Sequence, residues 1–365
     1  MAGLVVYGER EDMKQIFIGA MLVLASARIM TAQPASCAPS GGLTFICGVA
    51  NAEDLVLVPN SRWMLASGMA PGSGLHLVDT RAKTVKNLYA AGAAATRADR
   101  TKYAGCPGPL DAKQALLHGL SLRSAAGGRF TVYATNHGGR ESVEVFELDT
   151  SGGAAPNATW IGCVLAPGKM SFNSVAAFTD GTLVATVLIT PDKTFADAFA
   201  QRITGVVMQW TPGTPAFTAL PGTELSANNG IETSPDDREF YVASTTTKRI
   251  VAFARNNTSK PLRVAQLKDF GPDNVRWTAD NRLITAGLLE NEPACGGTLK
   301  TEAGLTCPRG YVVVTIDPKT MAVTELARGP ATPAFTGTAI AMQAGNELWL
   351  GSFNADRLAY RALKP

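Results

Sequence analysis

Side chains with oxygen donors occupy the same position in four of the six copies of a repeated pattern. The pattern is a turn followed by a strand ending in small residues, at 59–67, 125–135, 179–186, 234–244, 278–286 and 343–352. Glu53, Asn173 and Asn229 lie ahead of the first, third and fourth copies, Asp273 and Asn274 both lie ahead of the fifth, and a histidine lies ahead of the second. Calcium takes about six to eight oxygen ligands from carboxylates, amides and water. If these side chains converge, their chemistry predicts a calcium site.

Two of the three histidines accompany these oxygen donors. His118 precedes the second copy at the phase of the other candidates, and His137 ends the next strand of the same unit. Hairpin geometry can bring such strand ends together, which predicts a general-base pair beside the metal. The alternative is that each histidine only hydrogen-bonds a loop carbonyl. The third histidine, His76, lies in a strand pattern and is interpreted as a packing or surface residue.

Each oxygen donor also has a purely structural interpretation. Asn229 begins an Asn–Gly pair, a strong turn signal, and Asp273 and Asn274 follow a Gly–Pro pair that favours a turn. Glu53 can be a surface charge. Asn173 lies in an apolar segment and needs a polar partner of some kind. Their common phase in the repeat favours the metal site over these separate explanations.

Short strands must position these residues. Runs rich in β-branched and aromatic residues, separated by Gly, Asp, Asn and Pro, dominate the chain, while helical periodicity is nearly absent. Short helices are predicted only at 193–203 and, second, at 111–117. The repeat predicts an all-β fold, a six-bladed β-propeller with four-stranded blades around a central channel. The starts of the inner strands then meet at one mouth of that channel, and the insertions at 81–117, 191–203 and 287–310 form loops over one face.

The beginning of the chain has the features of an export signal. A lysine at position 14 precedes an apolar run at 16–27 and then small and polar residues, which predicts a secretory signal over residues 1–35, with Met13 as an alternative start. The run is too short to span a membrane. Residues 36–365 are therefore expected to form a single propeller domain, secreted or periplasmic, without a transmembrane segment.

The charge and cysteine content limit the partners and metals expected for this protein. Net charge is +3 with 17% charged residues, and the charges form no basic block, so no nucleic-acid partner is expected. We expect a monomer. Six cysteines behind an export signal favour disulfides, and the absence of a Cys-x-x-Cys spacing argues against zinc. Among the possible pairings, we expect Cys37–Cys47, Cys106–Cys163 and Cys295–Cys307.

Six segments resemble the paraoxonase/arylesterase family and, more distantly, the SMP-30, gluconolactonase and strictosidine-synthase-like six-bladed propellers. They read AEDLVLVPN, LLHGLS, TNH, FNSVAAF, ANNGIETSPD and GPDNVRW. The resemblance implies a channel calcium held by the five oxygen donors above, with His118 and His137 as the base pair. It also implies that Asp54 is a ligand of a second, structural calcium deeper in the channel.

The chain departs from the family pattern in two places. Ser174 stands where the family has an aspartate, which removes a carboxylate from the second calcium site, and no C-terminal cysteine is present to close the ring. The N-terminal strand and a Cys37–Cys47 bond are the candidate closure. The implied function is a calcium-dependent hydrolase of lactones or aryl esters in which His118 activates water. The alternatives are a gluconolactonase-like sugar-lactone hydrolase and a non-catalytic secreted binding propeller stabilised by calcium.

Overall fold

Six blades of four antiparallel strands, one of them with a fifth short strand added at its edge, and a separate two-stranded hairpin form the sheets of the described residues. The computed structural model describes residues 37–92, 94–152 and 155–363, so the predicted signal at 1–35 lies outside the described residues. The inner strands of neighbouring sheets contact one another. The all-β six-bladed propeller expected from the repeat is confirmed.

The two innermost strands of each blade line and support the channel. Numbered in chain order, blades 1 to 6 have as inner strands Leu55–Leu57, Leu117–Ala125, Val175–Ala177, Asn228–Thr233, Val275–Trp277 and Thr338–Ala344. Their second strands are Trp63–Gly68, Arg129–Asn136, Leu183–Val187, Glu239–Ser244, Leu283–Leu288 and Glu347–Ser352. The repeated pattern therefore corresponds to the turn and second strand of each blade.

The outer strands complete each blade in the same antiparallel order. The third strands are Gly74–Asp79, Ser142–Asp149, Val206–Trp210, Arg249–Ala254, Tyr311–Ile316 and Arg357–Ala362. The fourth strands of blades 1 to 5 are Thr84–Asn87, Asn157–Leu165, Thr218–Ala219, Arg263–Gln266 and Val323–Gly329. A short strand, Ala95–Thr96, adds in parallel to the edge of blade 2.

Blade 6 takes its fourth strand from the start of the described chain. Thr44–Cys47 pairs antiparallel with Arg357–Ala362, and a disulfide joins Cys37 to Cys47. The expected closure device is thus the one the structure has. The other two expected disulfides, Cys106–Cys163 and Cys295–Cys307, are also present. Three disulfides are typical of proteins that fold in an oxidising compartment.

Apolar faces of neighbouring blades pack against each other. Between blades 3 and 4, for example, Phe178 and Val184 join Phe240 and Phe253 in one buried cluster. Both faces of a blade are covered in this way, so its strands read as nearly continuous apolar runs, as expected for a sheet with no solvated face. The core therefore lies between the blades and leaves the axis for polar residues.

The three insertions lie on one face. They connect the fourth strand of blade 1 to the inner strand of blade 2, and the second to the third strands of blades 3 and 5. In an antiparallel blade all these connections are at the end where inner strands begin. The helix predicted at 193–203 is confirmed as Phe195–Phe199, capped by Thr194. The helix predicted at 111–117 is wrong, because this segment forms a turn before the strand Leu117–Ala125.

The insertion in blade 5 is a small folded unit. It contains the hairpin strands Asn291–Glu292 and Gly297–Thr298 and the 3-10 helices Pro293–Cys295 and Glu302–Thr306. The disulfide between Cys295 and Cys307 closes it. Among the described residues, no helix has the length and apolar character needed to cross a membrane.

Candidate active site

The starts of the inner strands bring predicted ligands from different blades into contact. Asn274 Nδ2 donates a hydrogen bond of 2.5 Å to Glu53 Oε1. The Asp273 carboxyl lies close enough to Asn229 and Glu53 for both side chains to affect its pKa. Side chains of blades 1, 4 and 5 therefore meet at one mouth of the channel, as the common repeat phase predicts.

Asn173 and His118 reach the same mouth from blades 3 and 2. The Gly119 amide donates to the Asn173 carbonyl at 3.2 Å, and His118 Nε2 lies 3.3 Å from Glu53 Oε2. All five blades that carry a predicted site residue thus contribute to one location. The structure separates only Asp54, which lies deeper and has its own partners.

Two glycines allow the inner strands to approach this closely. A Cβ at Gly230 would lie 2.5 Å from Asn274 Cα, and one at Gly119 would lie 2.4 Å from Ser174 Cα. Both glycines stand at irregularities in strand register, between Asn228 and Ile231 in blade 4 and between Leu117 and Leu120 in blade 2. Such bulges redirect side chains. The Asn–Gly pair at 229–230 is therefore a bulge within a strand and not a hairpin turn.

Four of the predicted ligands each present a buried oxygen without a hydrogen-bond donor. Ten buried side-chain atoms in the described residues lack a partner, and four of them are Glu53 Oε2, Asn173 Oδ1, Asn229 Oδ1 and Asn274 Oδ1. Burying a polar atom unpaired costs free energy, so native proteins rarely leave several together. A cation that accepts hard oxygen ligands resolves this cost, and calcium fits the set.

The donor chemistry also limits the choice of metal. Within the described ranges, no group of three or more His, Cys, Asp and Glu side chains is placed to hold a metal ion. A site here therefore depends on amide oxygens, which suit calcium better than zinc. Glu53, Asn173, Asn229, Asp273 and Asn274 are the residues that would hold the ion.

The electrostatics of the mouth favour a cation. Burial raises the pKa of Asp273 well above its ordinary value, and the neighbouring charges of Glu53 and Asp54 raise it further. Burial likewise raises the pKa of Asp54 to about 7, against the opposing effect of Arg276. Carboxylates close together disfavour each other's ionisation. A divalent cation between them would favour the ionised forms and lower their pKa values.

The two histidines belong to a hydrogen-bonded series that ends in a residue we did not predict. His118 Nδ1 lies 2.9 Å from His137 Nε2, and His137 Nδ1 lies 2.9 Å from Glu141 Oε2. A carboxylate can only accept, so it assigns the proton of neutral His137 to Nδ1. His137 Nε2 then accepts from His118 Nδ1–H, and the second proton that His118 can take up goes to Nε2, which lies beside the Glu53 carboxylate.

The pKa of His118 reflects two opposing effects. Burial alone lowers it, but the Glu53 carboxylate beside Nε2, together with Asp54 and Glu141, raises it on balance above its ordinary value. The Glu53 carboxylate therefore favours the protonated form of His118.

Hydroxyl groups at the tips of the second strands support the ligand-bearing segments. Thr135 Oγ1 donates to the Asn173 carbonyl at 3.0 Å, Thr186 Oγ1 to the Asn229 carbonyl at 2.5 Å, and Thr285 Oγ1 to the Asn274 carbonyl at 2.7 Å. The first two of these bonds cross from one blade to the next. They explain why the repeated pattern ends in small residues, because the hydroxyl must reach a backbone carbonyl.

Asp54 has no unpartnered oxygen. Its carboxylate accepts from the amides of Leu55 at 2.8 Å and Leu120 at 2.7 Å, and it contacts the Arg276 guanidinium. Arg276 and Glu141 are the charged residues at this site that sequence reasoning missed. Glu141 lies four positions after His137, a spacing that offered a signal, whereas Arg276 gave none.

A cavity of about 1290 Å³ opens at the opposite end of the channel. Its lining includes Trp63, Arg123, Glu232, Arg276 and Trp277, but none of the five predicted calcium ligands. Several cations that line it have partners in the protein, for example Arg123 with Thr233 and the Ala177 carbonyl. The cavity is therefore separate from the five predicted calcium ligands.

Comparison with known proteins identifies the family. The model of the SMP-30/gluconolactonase/LRE-like region matches residues 69–338. This is more than half of the chain, which therefore belongs to that family. No curated protein matches the sequence.

Solved structures share the fold at low sequence identity. A protein assigned provisionally as a gluconolactonase is 13% identical with a TM-score of 0.50, over 89% of this chain and 96% of the other. Regucalcin from Agrobacterium tumefaciens, described as a calcium-binding protein, is 13% identical with a TM-score of 0.49, over 87% and 91%. A luciferin-regenerating enzyme is 13% identical with a TM-score of 0.49, over 88% of this chain and 96% of the other. At this level of identity the likeness concerns the fold alone.

Proposed function

We propose that this protein is a calcium-dependent hydrolase of lactones or aryl esters. The observation that carries the proposal is the set of four buried, unpartnered oxygens on Glu53, Asn173, Asn229 and Asn274, with His118 next to Glu53. When bound there, calcium supplies Lewis-acid polarisation of an ester carbonyl and charge stabilisation of the oxyanion.

The chain's own residues supply the proton chemistry. His118 Nε2 accepts a proton from water, a step for which general-base catalysis contributes about 10²–10⁴-fold in rate. His137 accepts the hydrogen bond from His118 Nδ1, and Glu141 holds His137 in the matching tautomer. The resulting imidazolium is stabilised by the Glu53 carboxylate at 3.3 Å. The insertions of blades 3 and 5 and the one before blade 2 surround the mouth and would select the substrate.

The proposal is tested with a panel of aliphatic lactones and aryl acetates, assayed before and after treatment with a chelator. Activity should be lost on chelation and return with calcium. Asn229→Ala should lose both calcium binding and activity, whereas Asn157→Ala, on the exposed edge of blade 2, should behave as the parent. Hydrolysis that survives chelation or Asn229→Ala contradicts the proposed metal role.

A sugar-lactone hydrolase is the second candidate, and the family match favours it. The same panel separates the two when it includes aldonolactones, because a polar substrate would be preferred. A binding propeller stabilised by calcium remains the non-catalytic alternative. His118→Gln should abolish turnover in a hydrolase but leave calcium binding intact, whereas a protein without any turnover to lose supports the binding role.

The proposed site of action is outside the cytoplasm, in the periplasm or the medium. Three disulfides support an oxidising compartment. We further propose that the protein acts as a monomer. Fractionation of cells that express the full chain, followed by size-exclusion chromatography, tests both statements.

A further inference from the structure

Arg276 is a buried cation on the axis of the propeller. It lies on the inner strand of blade 5 and only 2% of its surface is exposed. A guanidinium removed from water needs its charge balanced by the protein and is stabilised by hydrogen bonds to its terminal N–H groups. Nε of Arg276 is buried without a hydrogen-bond partner among the described residues, so Nη1 and Nη2 make its contacts. Its partners therefore show which kind of cation this position can hold.

Those partners are oxygen atoms from four blades. Nη2 contacts the Asp54 carboxylate of blade 1 and donates to the Leu120 carbonyl of blade 2 at 2.6 Å. Nη1 donates to the Ile231 carbonyl of blade 4 at 3.2 Å and to the Val275 carbonyl at 2.8 Å.

A carboxylate and several backbone carbonyls are also the ligands that a calcium ion takes in proteins. The guanidinium thus lies among oxygens that would suit a divalent cation. It also joins the inner strands of four blades, as a structural ion would. Its single positive charge is opposed by Asp54 and, at 3.7 Å, by Glu232 Oε2, so the position is already neutralised without metal.

Ser174 fits this arrangement. It is fully buried, its Oγ has no hydrogen-bond partner among the described residues, and it packs against Gly119, next to Leu120. An ionised carboxylate at position 174 would bring a further negative charge to this depth. A serine adds no charge, so the guanidinium alone balances the negative charge at this position.

We propose that Arg276 is a built-in substitute for a second metal ion, so that the channel holds one exchangeable calcium at its mouth and a permanent guanidinium beneath it. The proposal concerns the number of metal sites and the stability of the ring. It does not depend on the protein being a hydrolase.

The test measures bound calcium per chain by equilibrium dialysis, and the melting temperature with and without calcium. Two variants of the full chain are compared with their parent, Arg276→Ala and Arg276→Ala combined with Ser174→Asp. Truncation frees the Asp54 carboxylate and the Leu120 and Ile231 carbonyls for a metal. The double variant should bind one more calcium than the parent, and calcium should restore a melting temperature that the substitution lowers. Arg238→Ala, at an exposed turn, should change neither quantity.

An unchanged calcium count in a folded double variant overturns the proposal. If neither variant folds even with calcium, a protein that retains Arg276 provides the test. In Asn229→Ala, which disables the mouth, no bound calcium should remain, because Arg276 occupies the deeper position. A residual calcium that disappears when Asp54→Asn is added shows a second metal site in the natural chain and contradicts the proposal. Loss of hydrolysis with an unchanged count bears only on the proposed function.

Discussion

The Asn274 side chain donates its amide to the Glu53 carboxylate at 2.5 Å, although 221 positions separate the two residues. The bond joins blade 5 to blade 1 across the channel. It fixes which atom of each group remains free, since Asn274 Oδ1 and Glu53 Oε2 are the ones left without a hydrogen-bond partner among the described residues. Hydrogen bonding thus prepares the oxygens that a cation would take.

Removing the charge of Glu53 should weaken calcium binding. Glu53→Gln keeps the shape of the side chain but lowers the negative charge of the donor set, and ligand charge tunes calcium affinity. We expect the Kd from calorimetric titration to rise by about tenfold or more, in the range seen when a metal site loses supporting groups. Glu325→Gln, on an exposed strand, is the control. An unchanged Kd would remove Glu53 from the proposed ligands.

Glu141 should set the pH dependence of activity through the two histidines. Its negative charge contributes to the raised pKa of His118, so Glu141→Gln should lower that pKa. Because the base must be unprotonated, the acidic limb of the kcat profile should move to lower pH while the plateau is retained.

The plateau value of kcat distinguishes the effect of the Glu141 charge from its effect on the orientation of His137. Glutamine still offers an oxygen to His137 Nδ1, whereas Glu141→Ala offers none and should reduce kcat by about tenfold, as expected for loss of an orienting partner. Alanine and glutamine variants that both keep the parent profile would show that Glu141 has no role beyond its surface ion pair with His137.

Thr186 should couple blade 3 to the ligand of blade 4. Thr186→Val keeps the volume but leaves the Asn229 carbonyl without its donor. An unsatisfied buried acceptor costs about 1–3 kcal/mol, so the free energy of unfolding from urea titration should fall by that amount and calcium affinity should fall with it. Thr186→Ser retains the hydroxyl and should stay close to the parent in calcium affinity. Equal losses in both variants would point to packing as the cause.

His76 should make the protein less stable in acid. Burial lowers the pKa of His76 from 6.5 to about 4. The unfolded chain therefore binds this proton below about pH 6.5, while the folded chain binds it only below about pH 4, so stability rises with pH across this window and falls on acidification. At about 1.4 kcal/mol for each pKa unit, the loss by pH 4 is of the order of 3 kcal/mol.

The matched variant for this effect is His76→Gln, which cannot take up the proton and retains a polar group for Ser73, whose Oγ lies 3.0 Å from His76 Nε2. Unfolding free energies measured at several pH values should show a smaller slope between pH 6.5 and 4 in the variant. Parallel slopes in the two proteins would mean that other groups govern the acid sensitivity.

The blades were predictable because their signals are local. Turn residues and alternating strands recur at short range, and the common phase of Glu53, Asn173 and Asn229 follows from that repeat. The three disulfides were also expected correctly. The prediction of a helix at 111–117 was wrong, since its helix-forming residues are held in a turn that connects the insertion to blade 2.

The contacts that pass between blades carried no signal in the sequence. Arg276 meets Asp54 over 222 positions, and nothing in the local pattern of either residue indicates the pairing. The hydroxyls of Thr135 and Thr186 were visible as part of the repeat, but their role depends on which carbonyl of the next blade lies opposite. Such relationships require the ring to be assembled first.

The pairing of Thr44–Cys47 with Arg357–Ala362 has a consequence for biosynthesis. The last blade lacks its outer edge until both extremities of the folded domain are present, so ring closure must wait for the final strand to emerge during synthesis or export. Until then the long-range partners of the axis have no fixed neighbours, and unpaired strand edges are exposed to other chains. Nascent molecules therefore pass through a period of vulnerability to aggregation that ends only when the first strand is captured by the last.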